Sequence, residues 1–330
     1  MNRIRPYLRK RLFLLLLALM VTSDSTAQSF ESRIVFASNR DGDWDIYSMD
    51  VNGDNVVQLT DHPASDGYTA CSPDGRRIAF LSVRGVTLDL YVMDSDGNNV
   101  IRLTQDNLFE NRSSWSPDGT RIAFSNFRWE VGNSEIFVMD ADGNNLINLS
   151  KHKWQDVTPS WSLDGSTIAF CSYRTGHLND PEHIFVMNAD GTGRRNLTGD
   201  THLRTSRFPT CSPDGSKIAF QSQRLFREGT RTDIYVITAD GKELEQLTED
   251  GRSRFPAYSP DGAKIAFSSS RDGGGHIYLM EANGRNAVKL TRTPPGVGNG
   301  LPSWLPGALA VNPNGKLPTS WGVLKCTRNQ

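Results

Sequence analysis

Between Ile34 and Trp304 the chain alternates short apolar runs with polar, glycine-rich breaks. The stretch Trp115 to Ser150 shows the order. Trp115 leads into Ser116-Pro117-Asp118-Gly119, where proline presets φ for a turn and glycine accepts the left-handed backbone after it. Ile122-Ala123-Phe124 follows, then a polar stretch, then Ile136-Phe137-Val138-Met139. A second tight turn, Asp140-Ala141-Asp142-Gly143, precedes Leu146 to Leu149. Apolar runs of this length bounded by turn residues predict four short antiparallel strands, A to D.

The unit repeats. Its strand B phenylalanines are Phe36, Phe80, Phe124, Phe170, Phe220 and Phe267, spaced by 44, 44, 46, 50 and 47 residues. A period in the forties with four strands per repeat is that of a β-propeller. The strand C runs, such as Ile46 to Met49 and Ile184 to Met187, are apolar on both faces, as sheets stacked face to face require. Strand A begins at Cys71, Trp115, Trp161, Cys211 and Tyr258, but nothing equivalent precedes Ile34. Pro302-Ser303-Trp304 repeats Pro159-Ser160-Trp161 and is expected to supply the missing strand. The predicted fold is all-β: a six-bladed β-propeller of four-stranded antiparallel blades over residues 28–304, its first blade closed by the C-terminal segment. Residues 305–330 are expected to form a tail that packs on or extends the closing blade.

The N-terminus departs from this pattern. Arg3, Arg5, Arg9, Lys10 and Arg11 precede an apolar core from Leu12 to Val21, and Ser25-Thr26-Ala27 offers small residues before Gln28. Residues 1–27 read as a cleavable signal peptide, and the apolar core is short of the roughly 20 residues a spanning helix needs. A periplasmic or secreted protein with no transmembrane span after cleavage is expected. Of the 36 basic and 37 acidic residues, removal of 1–27 leaves 31 and 36, a net charge of −5. That balance gives no case for nucleic acid, whose binding depends on basic neutralisation of phosphate. Cys71, Cys171, Cys211 and Cys326 read as core fillers rather than a disulfide framework.

The recurring string (W/C/Y)-S-P-D-G-x-x-I-A-F, then I-Y-V-M-D-A-D-G and L-T, resembles the propeller repeat of the TolB-like proteins over Ile34 to Trp304. The resemblance implies a six-bladed propeller, a periplasmic location and protein binding at one mouth of the ring. TolB carries an α/β domain before its propeller, whereas here only Gln28 to Arg33 lies between the expected cleavage site and the first strand. No G-x-S-x-G elbow of a peptidase partner is present.

Alternating strand direction puts the A-to-B and C-to-D turns on one face and the B-to-C and D-to-A loops on the other. The first face is nearly uniform; its D-x-D-G turns resemble calcium loops but run straight into strand D and read as hairpin turns. The second face carries the variable loops and is the expected binding face. At its D-to-A mouth Asp66, Glu110, Asp156, Ser206, Ser253 and Asn299 stand five residues before the strand A aromatic position in blade order, and Arg112, Arg207 and Arg254 follow one or two residues later; Tyr68 and Trp154 join them as expected binding residues. Acidic on one side and basic on the other, this mouth would orient a mixed-charge peptide; alternatively the acids cap the inner strands.

A second register holds Arg40, Arg84, Arg128, Arg174, Arg224 and Arg271, each four residues after a strand B phenylalanine. Ion pairs with Asp45, Asp89, Glu135 and Asp233 are expected. The leading functional expectation is a monomeric, non-enzymatic scaffold that binds a protein or peptide partner in the envelope, in processes related to Tol-Pal, with no cofactor and no nucleic acid. The alternative is a metal-assisted polyuronate lyase or hydrolase using His62, His152 and His202, by analogy with oligogalacturonate lyases that share the propeller.

Overall fold

The S-P-D-G sequence forms the hairpin it predicts. Ser72 Oγ donates to Asp74 Oδ1 at 2.6 Å and accepts from Arg77 N at 2.9 Å, so one hydroxyl ties both ends of the turn. The L-T pair that ends five of the six repeats, replaced by Leu149-Ser150 in the third, has a comparable local task. Thr60 Oγ1 accepts from Ile46 N at 2.9 Å, and the same bond recurs from Leu90 N to Thr104 at 3.0 Å and from Ile277 N to Thr291 at 3.0 Å.

The computed structural model describes residues 31–85, 87–105, 110–128, 132–173, 181–226 and 229–307. The expected signal peptide, most of the expected 305–330 tail, Cys326, Trp129, Arg174 and His177 lie outside them, as do the side chains of Glu110 and Arg128. The chain divides into two units, Met1–Phe30 with Leu309–Gln330, and Glu31–Ala308; the described strands all belong to the second.

It is an all-β propeller of antiparallel four-stranded sheets. One sheet has the order β24 (Asn299–Leu305), β1 (Arg33–Ser38), β2 (Asp45–Asp50) and β3 (Val57–Gln58). The next runs from β4 (Asp66–Cys71) through β5 (Arg77–Ser82) and β6 (Asp89–Asp94) to β7 (Ile101–Arg102). A third holds β8 (Glu110–Trp115), β9 (Arg121–Arg128), β10 (Asn133–Asp140) and β11 (Ile147–Asn148). Another holds β20 (Ser253–Tyr258), β21 (Lys264–Ser269), β22 (His276–Glu281) and β23 (Val288–Lys289).

Between these lies one eight-stranded sheet, where two separate blades are expected. It contains β12 (Gln155–Trp161), β13 (Thr167–Tyr173), β14 (Glu182–Asn188) and β15 (Arg195–Asn196), then β16 (Thr205–Cys211), β17 (Lys217–Phe226), β18 (Gly229–Thr238) and β19 (Leu244–Gln246). A single parallel bridge joins the two runs: β14 and β16 begin side by side, Glu182 opposite Thr205, and Glu182 N donates to Arg204 O at 2.9 Å. Strand β24 pairs antiparallel with β1, Trp304 opposite Ile34 and Asn299 opposite Ser38.

Each run packs face to face on the next. Phe36 and Ile34 meet Ala257 and Leu279 on one side, while Val35 and Ile46 meet Ile78 and Phe80 on the other. Equivalent cores join β4–β7 to β8–β11, β8–β11 to β12–β15, β12–β15 to β16–β19, and β16–β19 to β20–β23. The strand B phenylalanines are wholly buried. Each lies against the strand C aromatic opposite it in register, as Phe80 on Tyr91 at 5.6 Å and Phe170 on Phe185 at 5.8 Å between ring centroids. Burying a phenylalanine stabilises by roughly 1.5–3 kcal/mol, so this ladder is a main source of cohesion.

The C-to-D turns add a backbone contact between neighbours. Gly53 has φ +87, and a Cβ there would stand 2.5 Å from Leu290 O; Gly97 faces Leu59 O in the same way at 2.4 Å. Glycine is required for both the left-handed backbone and the close approach. The described cysteines are free, and burial pushes the Cys71 and Cys171 thiols up to about 12.

Candidate functional site

The inner strands are not regular. In β4, β12, β16, β20 and β24 the pairing with the adjacent strand slips. At the slip stand Tyr68, Thr158, Phe208, Phe255 and Leu301, all with φ between 52° and 56°. Left-handed backbone is unfavourable for any side chain beyond glycine, and most of all for a β-branched or bulky one. Four of the five precede a proline (Pro159, Pro209, Pro256, Pro302), which disfavours the right-handed α conformation just before it.

Neighbouring sheets hold the strained amides. Phe255 N donates to Gln221 Oε1 of β17 at 3.1 Å, and Leu301 N donates to Ser268 Oγ of β21 at 3.1 Å. Strain of about 1–3 kcal/mol per residue persists only where surrounding structure over-determines the conformation, and these bonds contribute to that.

Three of these residues, Tyr68, Phe255 and Leu301, line one cavity of about 510 Å³. Its wall also takes residues from the β1–β2, β3–β4, β19–β20 and β21–β22 loops, including Trp44, Ser65, Arg252 and Gly275. These are all B-to-C or D-to-A connections. Leu81, Val83, Leu88 and Ala37 make the aliphatic part of the lining, and Asp66 and Arg254 contribute charge.

Asp66 is 1% exposed. Its Oδ2 accepts from Arg84 at 2.7 Å, while its Oδ1 is buried with no hydrogen-bond partner. Arg252 and Arg254 are exposed, and among the described residues no carboxylate pairs with either guanidinium. Burial raises the pKa of the Tyr68 phenol, which therefore stays a neutral donor.

Of the residues proposed from sequence, the cavity gathers Asp66, Tyr68 and Arg254. The others stand elsewhere. Asp156 is buried and accepts from Ser172 Oγ. Arg207 pairs with buried Glu182 and donates to Tyr173 Oη at 3.1 Å. Arg112 is half-buried, and desolvation lowers its guanidinium pKa to about 10. Trp154 is half-buried under Lys153, whose Nζ lies 4.5 Å from the ring centroid. Glu110 opens β8.

The histidines are not gathered into a metal site: among the described residues no three His, Cys, Asp or Glu side chains are grouped to hold an ion. His62 Nδ1 accepts from Ala64 N at 3.0 Å, His152 Nδ1 accepts from Trp154 N at 3.3 Å, and His202 is exposed.

Among the described repeated arginines, Arg40, Arg84 and Arg271 are structural, but not through the strand C acids of their own repeats. Arg84 pairs with Asp66 rather than Asp89, and Arg271 with Asp250 at 2.7 Å. Arg40 donates to Ser38 Oγ and Asn299 Oδ1. Their guanidinium groups lie over the strand B and C rings, Arg40 at 4.4 Å from Tyr47 and Arg271 at 4.6 Å from Tyr278. Two of the strand C acids have other partners: Asp89 pairs with Arg102 at 2.7 Å, and Asp45 accepts from Thr60 Oγ1 at 3.1 Å.

Trp44, Arg252, Phe255 and Leu301 line the cavity without having been chosen as binding residues from sequence. The repeated x-Pro step before the inner-strand aromatic is the signal that marks Phe255 and Leu301.

Stacked antiparallel sheets whose bulged inner strands border a loop-lined cavity define a β-propeller. The chain belongs to the TolB beta propeller domain family, which it matches over residues 28–130, 113–223 and 192–310. The Protein TolB homolog of Chlorobaculum tepidum is 50% identical over 46 residues, which are 14% of this chain and 11% of that protein. The crystal structure of TolB from Acinetobacter baumannii has a TM-score of 0.70 at 21% identity, covering 84% of this chain and 67% of its own. The putative TolB from Agrobacterium tumefaciens has a TM-score of 0.64 at 23% identity, covering 79% and 89%. An oligogalacturonate lyase in complex with manganese has a TM-score of 0.56 at 18% identity, covering 78% and 73%. At these identities the structural likenesses show the fold alone.

Proposed function

We propose that this chain is a six-bladed TolB-like propeller that works in the periplasm as a protein- or peptide-binding scaffold, its partner seated at the D-to-A mouth. Six packed interfaces between successive four-strand runs support the blade count, and the β24–β1 pairing supports closure of the first blade by the C-terminal segment. Cleavage after residue 27, a propeller over 28–304 and a role related to Tol-Pal belong to the same reading. They rest on the leader-like composition of residues 1–27 and on membership of the family.

The observation that carries the reading is the cavity beside Tyr68, Phe255 and Leu301. It is concave, aromatic and aliphatic, with a few convergent polar groups, as binding sites are, and its backbone is held under strain. No such convergence supports the lyase reading, because the three histidines it needs are not grouped.

The test is photo-crosslinking in cells, with a benzophenone amino acid at Tyr68 or Trp44 and, as control, at Asn98 in a C-to-D turn. Defined protein adducts from the first two positions and none from Asn98 are expected. Adducts only from Asn98, or from none of the three, would sink the proposal.

A further inference from the structure

The mouth was expected to be dipolar, yet its acid is already neutralised: Asp66 is held by Arg84 at 2.7 Å. What remains uncompensated at the cavity is the pair of exposed cations, Arg252 and Arg254, both part of its lining. One polar atom is also unmet. Asp66 Oδ1 is buried without a donor, and a buried acceptor left in that state forfeits its hydration. Since Arg84 already balances the charge, a neutral N–H is sufficient to satisfy it.

The rest of the lining is apolar. Leu81, Val83, Leu88 and Leu301 stand with Trp44 and Tyr68, a surface that gains from an aliphatic or aromatic side chain. Strained backbone at Tyr68, Phe255 and Leu301, with the last two amides fixed by Gln221 and Ser268, keeps this surface pre-organised, so an occupant loses little by ordering it.

We infer that the occupant is an extended peptide segment carrying an acidic residue beside an apolar one. Its carboxylate meets Arg252 and Arg254, its apolar side chain enters the aliphatic wall, and one of its backbone amides donates to Asp66 Oδ1. This rests on the peptide-binding reading above and names the chemistry that the site selects.

The experiment uses the full chain against a library of random heptapeptides, followed by titration of the best acidic sequence and its Glu→Gln or Asp→Asn analogue. Enrichment of Asp or Glu beside an apolar residue is expected. The acidic peptide should bind roughly fivefold tighter than its amide analogue, a margin that shrinks with added salt. In the Arg252→Gln/Arg254→Gln protein the two peptides should bind alike. Both arginines are exposed, so unchanged thermal melting should accompany that loss. Asp66→Asn should weaken both peptides while keeping the preference for the acid.

The inference is overturned if no peptide is enriched, if Asp and Glu are not favoured, if the double variant keeps the preference, or if a galacturonate oligomer binds more tightly than the acidic peptide. Crosslinks at Tyr68 without a charge preference would remove this inference and leave the binding reading standing. Loss of both would remove both.

Discussion

Gln221 of β17 holds the backbone amide of Phe255 in β20: its Oε1 accepts from Phe255 N at 3.1 Å, and the glutamine is 5% exposed. A side chain of one sheet thus secures a left-handed residue in the next. Gln221→Ala should leave that amide without a partner and cost about 1–3 kcal/mol. Urea denaturation reads this directly; an unchanged midpoint would show that the bond does not hold the bulge.

Asp66 and Arg84 form a pair in which the carboxylate is buried. Removing one member of a buried pair costs about 3–5 kcal/mol, while replacing both with apolar residues is often neutral. Arg84→Met alone should therefore destabilise strongly, and Asp66→Leu/Arg84→Met should recover most of the loss. The comparison is made by thermal and urea melts of the three proteins. A double variant no better than the single one would mean that the charge pair is not the source of the effect.

Gly53 and Gly273 both have φ +87, but only Gly53 faces a neighbour's backbone, with Leu290 O 2.5 Å from an added Cβ, whereas nothing lies within 4 Å at Gly273. Gly273→Ala should cost about 1–2 kcal/mol for the left-handed backbone alone. Gly53→Ala should cost a further 1–3 kcal/mol or so as overpacking between sheets. Equal midpoints for the two variants would contradict the contact.

Burial lowers the His276 imidazole pKa below the usual 6.5, with Lys289 adding to the shift and Asp272 opposing it. The unfolded chain takes up a proton as pH falls below 6.5 while the folded imidazole stays neutral. Stability from this site is therefore complete above that value and declines as pH drops towards the lowered one. Urea midpoints across about pH 7.5 to 5.5 should fall, and His276→Asn should flatten the decline by up to about 1.4 kcal/mol per pH unit. A slope unchanged by the substitution would assign the acid sensitivity to other groups.

Much of the propeller was legible in the chain because its repeat encodes local geometry. Ser72-Pro73-Asp74-Gly75 specifies a turn through one hydroxyl and one carboxylate, and Phe80 specifies a buried register without reference to anything distant. The partners of Arg84 and Arg271 were not legible in the same way. Each lies beyond the end of its strand B, where reach across the sheet edge, not sequence spacing, decides what it touches. Asp89 was misassigned because Arg102, thirteen positions on, reaches it first. The cavity was half visible: Asp66, Tyr68 and Arg254 fall within the first three residues of their inner strands, a stretch that the repeat aligns from blade to blade, whereas Trp44 and Arg252 come from loops whose length differs between repeats. The left-handed residues were concealed because Phe255 and Leu301 are poor candidates for that backbone on propensity, and only the following proline and a neighbour's side chain make it stable.

Ser38 Oγ donates to Asn299 Oδ1 at 2.9 Å across 261 positions of sequence. During synthesis, β1 therefore waits for almost the entire chain before its inner neighbour exists. Local hairpins such as β5–β6 can form as they emerge, but the β24–β1 contact belongs to the slow class of long-range pairings. Throughout that interval Arg33–Ser38 is an open strand edge of the kind that recruits stray strands. The pairing of β24 with β1 thus ends that strand's exposure to misassembly, and its arrival, more than the folding of any one repeat, sets when this edge is safe from its neighbours.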